Sequence, residues 1–109
     1  MQRMGWVIEI VPKKIEAYKK LHAEAWPDVL RMISSCHIKN YTIFLREPEN
    51  LLFSCFEYHG DDYEADMQRM SEDPITQKWW ELTDPCQKAL SSAKKTERWA
   101  PMEEVFHHD

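Results

Sequence analysis

Residues 4–22, MGWVIEIVPKKIEAYKKLH, change their apolar period partway along, and that change decides the fold. Up to Val11 the period is two. Trp6, Ile8 and Ile10 alternate with Gly5, Val7 and Glu9, so Met4 to Val11 is predicted to be a strand that Pro12 ends. From Lys13 the period is helical, with Ile15, Tyr18, Leu21, His22, Ala25 and Trp26 on one side. Lys14, Lys19, Lys20 and Glu24 fall on the other, solvent-facing side.

Pro27 cannot donate to the carbonyl four residues back and disfavours a helical Trp26, so the helix must kink or restart there. Val29, Leu30, Met32 and Ile33 continue its apolar side, and the SSCH segment at 34–37 ends it. Asn40 to Arg46 and Leu51 to Tyr58 read as two strands joined by the turn-rich EPEN, an antiparallel hairpin in which Tyr41, Ile43 and Leu45 share a face. The acidic start of DDYEADMQRMSED suits a helix N-terminus, and Tyr63, Met67 and Met70 follow at helical spacing. Asp73-Pro74 is a cap followed by proline at the first helical position, opening a helix with Ile75, Trp79 and Leu82; Asp84-Pro85 repeats the signal and breaks the region into pieces. Residues 91–96 (SSAKKT) read as a loop and 101–107 (PMEEVFH) as a final strand.

The order strand, helix, strand, strand, helix, strand specifies an α+β fold of the ferredoxin-like (βαββαβ) kind, an antiparallel sheet with helices on one face. Residues 1–109 form a single domain with no internal repeat. One layer of helices leaves the other sheet face uncovered, so a C2 homodimer, a dimeric α+β barrel, is expected.

Composition narrows the function classes. With 14 Lys+Arg against 19 Asp+Glu the net charge is −5, so a phosphate backbone is repelled and nucleic acid is not expected as a partner. No apolar run is long enough for a membrane span, and Met1 to Ile10 has neither a basic start nor an h-region. Three cysteines (Cys36, Cys55 and Cys86), widely spaced and outside any CxxC, fit buried free thiols in a reducing compartment, the cytoplasm. With only two glycines there is no phosphate-cradling loop.

Tyr18, His22 and Trp26 stand four apart, stacking a phenol, an imidazole and an indole in one helical column. An imidazole with its reference pKa of about 6.5 gives and takes a proton near neutrality, and a neighbouring phenol can orient it or hold a ligand hydroxyl. A core histidine is the plainer reading of the same column. Trp79 and Trp80 point about 100° apart on a helix, so one packs while the other lines a cleft or an interface. His59 with Asp61 and Asp62, and His107-His108 with Asp109, do not supply three metal ligands at a recognised spacing, so no metal site is expected. Cys55 has no base beside it in sequence and reads as a core thiol. Glu24 and Asp28, separated by Pro27, read as a solvated face and not as a paired-carboxylate site.

Five motifs coincide in order: Tyr18-x3-His22-x3-Trp26-Pro27, Asn40-Tyr41-x-Ile43-x-Leu45, Asn50-Leu51-Leu52-Phe53, Asp73-x3-Gln77-x-Trp79-Trp80 and Glu104-Val105-Phe106-His107. Together they resemble the L-rhamnose mutarotase family over nearly the whole chain, although Asp28 stands where the bacterial pattern has Glu. The resemblance implies a cofactor-free homodimeric enzyme that interconverts the α and β anomers of L-rhamnose. By motif position it implies His22 as the catalytic proton donor, Tyr18 and Tyr41 as substrate-binding tyrosines, and Trp79 and Trp80 as the sugar-contacting pair. No role carries over to Lys94 to Trp99. Two other readings stay open: a binding module for small sugars that keeps the pocket aromatics without turnover, and an oxygenase of the same dimeric barrel architecture.

Overall fold

The computed structural model describes residues 1–109, and the alternation in the first strand sets its layout. β1 (Gln2–Ile10) lies inside an antiparallel sheet, paired along one side with β3 (Leu51–Tyr58), which in turn pairs with β2 (Ile38–Arg46). Two short strands, β4 (Gln87–Lys88) and β5 (Ala100–Met102), take the other side of β1, giving the order β2-β3-β1-β4 with β5 also against β1. This is the ferredoxin-like order that the sequence predicts.

Even-numbered positions of β1 and β3 face the helices. Ile8, Ile10 and Leu52 pack with Ile15, Tyr18 and Cys86 in one core cluster, while Ile38, Phe56 and Tyr58 pack with Cys36 and Met70 in a second. Full burial of an aliphatic side chain stabilises by about 1.5–3 kcal/mol, so the two clusters are the main cohesive force between the layers. Odd-numbered positions point to the opposite face, where Phe44 and Met102 remain 62% and 41% exposed. Strand parity also corrects the reading of Cys55: Cys36 and Cys86 are buried, but Cys55 lies on the open face and is exposed.

The helices follow their boundary chemistry. α1 (Ile15–Ala23) stops short of Trp26, whose extended backbone lets Pro27 open a new helix, α2 (Pro27–Ser35). α3 (Tyr63–Ser71) is capped by Asp62, which accepts from Ala65 N at 3.1 Å. α4 (Pro74–Thr83) is capped by Asp73, which accepts from both the backbone and the hydroxyl of Thr76. Such caps contribute about 1 kcal/mol each. A 3-10 turn over Asp84–Cys86 follows, as the repeated Asp-Pro signal implies.

The fourth strand departs from the sequence reading. β4 lies opposite Ile10 and Glu9, and β5 lies opposite Val7, Trp6 and Gly5, so the two are pieces of one edge strand interrupted by an excursion over 89–99. Pairing ends at Met102, well short of His107. Beyond it the two glutamates are poor strand formers, and the segment is held through side chains, with Arg3 lying 3.7 Å from Glu104 and His107 Nε2 donating to Asp109 at 2.8 Å. A register shift between Lys39 and Thr42, with Asn40 at φ 53°, bulges β2 and turns Tyr41 onto the helix-facing side, 5.4 Å from the Phe56 ring.

Candidate active site

One turn of α1 supplies the central pair. The Tyr18 and His22 rings lie 4.2 Å apart, and His22 Nδ1 is 2.8 Å from the Tyr18 carbonyl oxygen. A carbonyl can only accept, so Nδ1 carries the proton and donates. Nε2 has no protein partner, and it is the nitrogen at which a proton can come and go. Trp79 stands edge-on behind the imidazole at 5.4 Å and meets Trp26 at 5.3 Å, joining α4 to the break between α1 and α2. Edge-to-face pairs of this kind contribute about 0.5–1.5 kcal/mol beyond burial, and here they fix the imidazole from behind.

Beside this pair lies a cleft of about 240 Å³, floored by Ile10, Ile43, Leu45 and Leu52 and walled by Tyr18, Lys19 and His22. An apolar floor with a few polar groups at one wall is the usual composition of a small-molecule site. Lys19 is exposed on the polar side of α1 as expected, and because the cleft opens along the flank of the helix it also stands at the rim, its ammonium 3.7 Å from Glu16. The signal available in sequence was its adjacency to Tyr18.

Tyr18 is 4% exposed, and its hydroxyl accepts from Gln87 Nε2 at 3.2 Å. Burial pushes its pKa up to about 12, outweighing the Gln87 hydrogen bond that pulls the other way. The phenol is therefore neutral throughout the physiological range and suits hydrogen-bond donation better than proton abstraction.

The other sequence-derived positions surround this centre without lining the cleft. Trp79 is buried at 7% exposure and backs His22. Trp80 packs on the neighbouring cluster with Trp6, whose partner ring is Phe56. Tyr41, 42% exposed as a whole residue, leans on Phe56, and desolvation, followed by the Tyr18 and Tyr63 phenols, raises its pKa. In the same cluster Trp6 Nε1 is a buried donor with no hydrogen-bond partner, which leaves about 1–3 kcal/mol to be recovered by any acceptor that reaches it.

His59 pairs with Glu57 at 3.0 Å and His107 with Asp109 at 2.8 Å, and no three His, Cys, Asp or Glu side chains come together as a metal-binding group. Asp28 pairs with Arg31 and takes no part in the cleft. No helix is long and apolar enough to cross a membrane.

The fold and the cleft together define the class: a fold of the dimeric α+β barrel kind, with an imidazole at a small pocket between a helix and the sheet. The sequence profile of the L-rhamnose mutarotase family matches residues 3–108, and the chain belongs to that family. It is 32% identical to the L-rhamnose mutarotase of Oceanobacillus iheyensis and 31% identical to that of Phocaeicola vulgatus, in each case with all of both chains covered. Among solved structures, the crystal structure of the L-rhamnose mutarotase from Formosa agariphila superposes with a TM-score of 0.79 at 23% identity, all of both chains covered. Tetracenomycin F2 cyclase from Streptomyces glaucescens, a type-II polyketide cyclase, shares the fold at a TM-score of 0.69 and 15% identity, again over the whole of both chains.

Proposed function

We propose that the chain is a mutarotase that interconverts the α and β anomers of L-rhamnose or a related 6-deoxy sugar, with His22 as its catalytic acid–base. The observation that carries this is the fixed imidazole, with Nδ1 tied to the Tyr18 carbonyl and Nε2 without a protein partner beside an apolar-floored cleft. Ring opening protonates the pyranose ring oxygen while the anomeric hydroxyl loses its proton. Rotation of the aldehyde and reclosure give the other anomer. With both ring nitrogens protonated, Nε2 gives its proton to the ring oxygen in opening while water takes the proton of the anomeric hydroxyl, and closing returns both, as microscopic reversibility requires. Nothing is oxidised, so the chemistry calls for no cofactor.

Tyr18 holds a sugar hydroxyl from the cleft wall and Trp79 backs the imidazole, while the family pattern adds Tyr41 and Trp80, outside the cleft lining, as further sugar contacts; the orphan N–H of Trp6 is a further donor beside Trp80. The working unit is a homodimer in which the open sheet face, with Phe44, Phe53, Val7 and Met102, is covered by a second copy. Its free cysteines suit a cytoplasmic location.

Freshly dissolved α-L-rhamnose followed by polarimetry, or anomer exchange followed by saturation-transfer NMR, tests the activity. Accelerated exchange that disappears in His22→Ala supports the reading, and no acceleration with any of several sugars defeats it. Retained sugar affinity without turnover in the wild type identifies a binding module instead.

A further inference from the structure

Gln87 lies between two groups that decide how its amide is turned. Its Oε1 is 3.3 Å from Arg98 Nη2, and its Nε2 is 3.2 Å from the Tyr18 hydroxyl. A guanidinium only donates, so the amide end facing Arg98 must be the carbonyl. The end facing Tyr18 is then the NH2, which also only donates. The Tyr18 oxygen must accept from it, and the phenolic proton is left for another acceptor. Within the protein no other side-chain or backbone partner of this hydroxyl exists, and the residue lines the cleft. The remaining acceptor is whatever occupies that cleft.

We propose that Gln87 and Arg98 are positioning residues that commit the Tyr18 hydroxyl to donating its proton to an oxygen of the bound sugar. Arg98 is itself held in place: its Nη2 donates to the Asp84 carbonyl at 3.0 Å, and its Nε lies 3.6 Å from the Asp84 carboxylate. The excursion over 89–99 brings Arg98 to this position. Had the edge strand run straight from β4 into β5, the residue after Lys88 would have continued the ladder past Ile8 and no guanidinium would return over Gln87. The segment that interrupts the sheet is thus part of the site's hydrogen-bond polarity. The sugar atom that meets Tyr18 must be an acceptor, either the ring oxygen or a hydroxyl turned to accept.

This inference rests on the reading of Tyr18 as a sugar-binding residue, and the variants separate the two. Gln87→Glu keeps the shape and the Arg98 partner but faces Tyr18 with an acceptor, so the phenolic proton turns to the carboxylate and away from the sugar. Expected is a loss of about tenfold or more in kcat/KM, the equivalent of one hydrogen bond, in protein whose thermal unfolding is unchanged. In a Tyr18→Phe background the same Gln87→Glu change should add no further loss. Arg98→Met, on an exposed side chain, frees the amide to flip and should lose several-fold, with Arg98→Lys regaining part of it.

Gln87→Glu at the wild-type rate while Tyr18→Phe is impaired overturns the positioning role and leaves the site standing. A Gln87→Glu loss that persists undiminished in Tyr18→Phe overturns it as well. Tyr18→Phe at the wild-type rate instead overturns the placement of Tyr18 at the sugar. If Gln87→Glu does not fold, the Arg98 pair decides, and wild-type kinetics in Arg98→Met overturns the proposal.

Discussion

The molecule contains two tyrosine–histidine pairs, and they have opposite fates. At one corner Tyr58 donates to Asp66 Oδ2 at 2.5 Å and accepts from Asp62 N at 3.1 Å, while His37 Nδ1 lies 2.9 Å from the same carboxylate oxygen. Arg69 takes the other oxygen at 3.1 Å and reaches back to the Ser35 carbonyl at 2.7 Å. There the phenol has both its roles filled, and the network ties α3 to the end of α2 and to β3. At the other corner Tyr18 and His22 meet an amide and a carbonyl, neither of which takes the phenolic proton or Nε2. The residue types match; a carboxylate among them makes a clamp, and its absence leaves two groups able to hydrogen-bond a ligand.

Substitutions can break that contrast. The largest effect should come from exchanging the two histidines for alanine in turn. His22→Ala is expected to lower kcat by about 10²–10⁴-fold with the thermal midpoint little changed, whereas His37→Ala should leave turnover intact and lower the midpoint. Anomer-exchange rates and thermal melts on both variants check this; equal kinetic losses would erase the distinction.

Next comes Gly60, where an added Cβ would stand 2.4 Å from the Tyr58 hydroxyl oxygen and 2.8 Å from Asp66 Oδ2. Both atoms are held by the clamp and cannot retreat without breaking it. Gly60→Ala should destabilise by about 1–3 kcal/mol in urea unfolding and spare the activity of the folded fraction.

The pH response sharpens the comparison more finely. The Tyr58 hydrogen bond, then that of His37, holds the Asp66 carboxyl down to about 2 against an ordinary value of 3.8. The unfolded chain therefore binds a proton before the folded one does as acid is added. Stability from this group is present above about pH 4 and is lost as the pH falls through about 2. Asp66→Asn should be less stable than wild type near neutrality and lack that part of the acid limb. Tyr18 acts at the other extreme: with a folded value of about 12 against 10.0, its contribution is intact below pH 10 and is lost as the pH rises through about 12. An alkaline limb of the same size in Tyr18→Phe would refute that assignment.

The long elements were legible because each repeats its period several times. β1, the 40–58 hairpin and both proline-started helices carry enough apolar positions to declare strand or helix, and the Asp73 cap and Pro27 restart are local chemistry. β4 and β5 were not legible: two and three residues cannot display a period, and their pairing depends on a partner strand far away in sequence. The pairing of Tyr18 with His22 was visible as a four-residue spacing, since a helix makes it adjacent by construction. Trp79 reaches the same imidazole from another helix, and Gln87 reaches Tyr18 from β4, contacts that spacing alone does not encode. Lys19 does face solvent, as its side of the helical stripe implies; its place at the cleft rim was not legible because the cleft opens along the seam between the dry and wet sides.

The interrupted strand also bears on how copies of the chain can associate. An edge of unbroken ladder groups invites another edge to extend the sheet indefinitely. Here one margin is reduced to fragments of two and three residues, and Pro101 within the second has no N–H to offer. The other margin, β2, is distorted by its bulge and carries Lys39 and Arg46. Edge-to-edge growth into fibres is disfavoured at both margins. Phe44 and Met102 expose apolar surface instead on the broad face of the sheet, where the proposed pairing with one copy would use it up and end assembly.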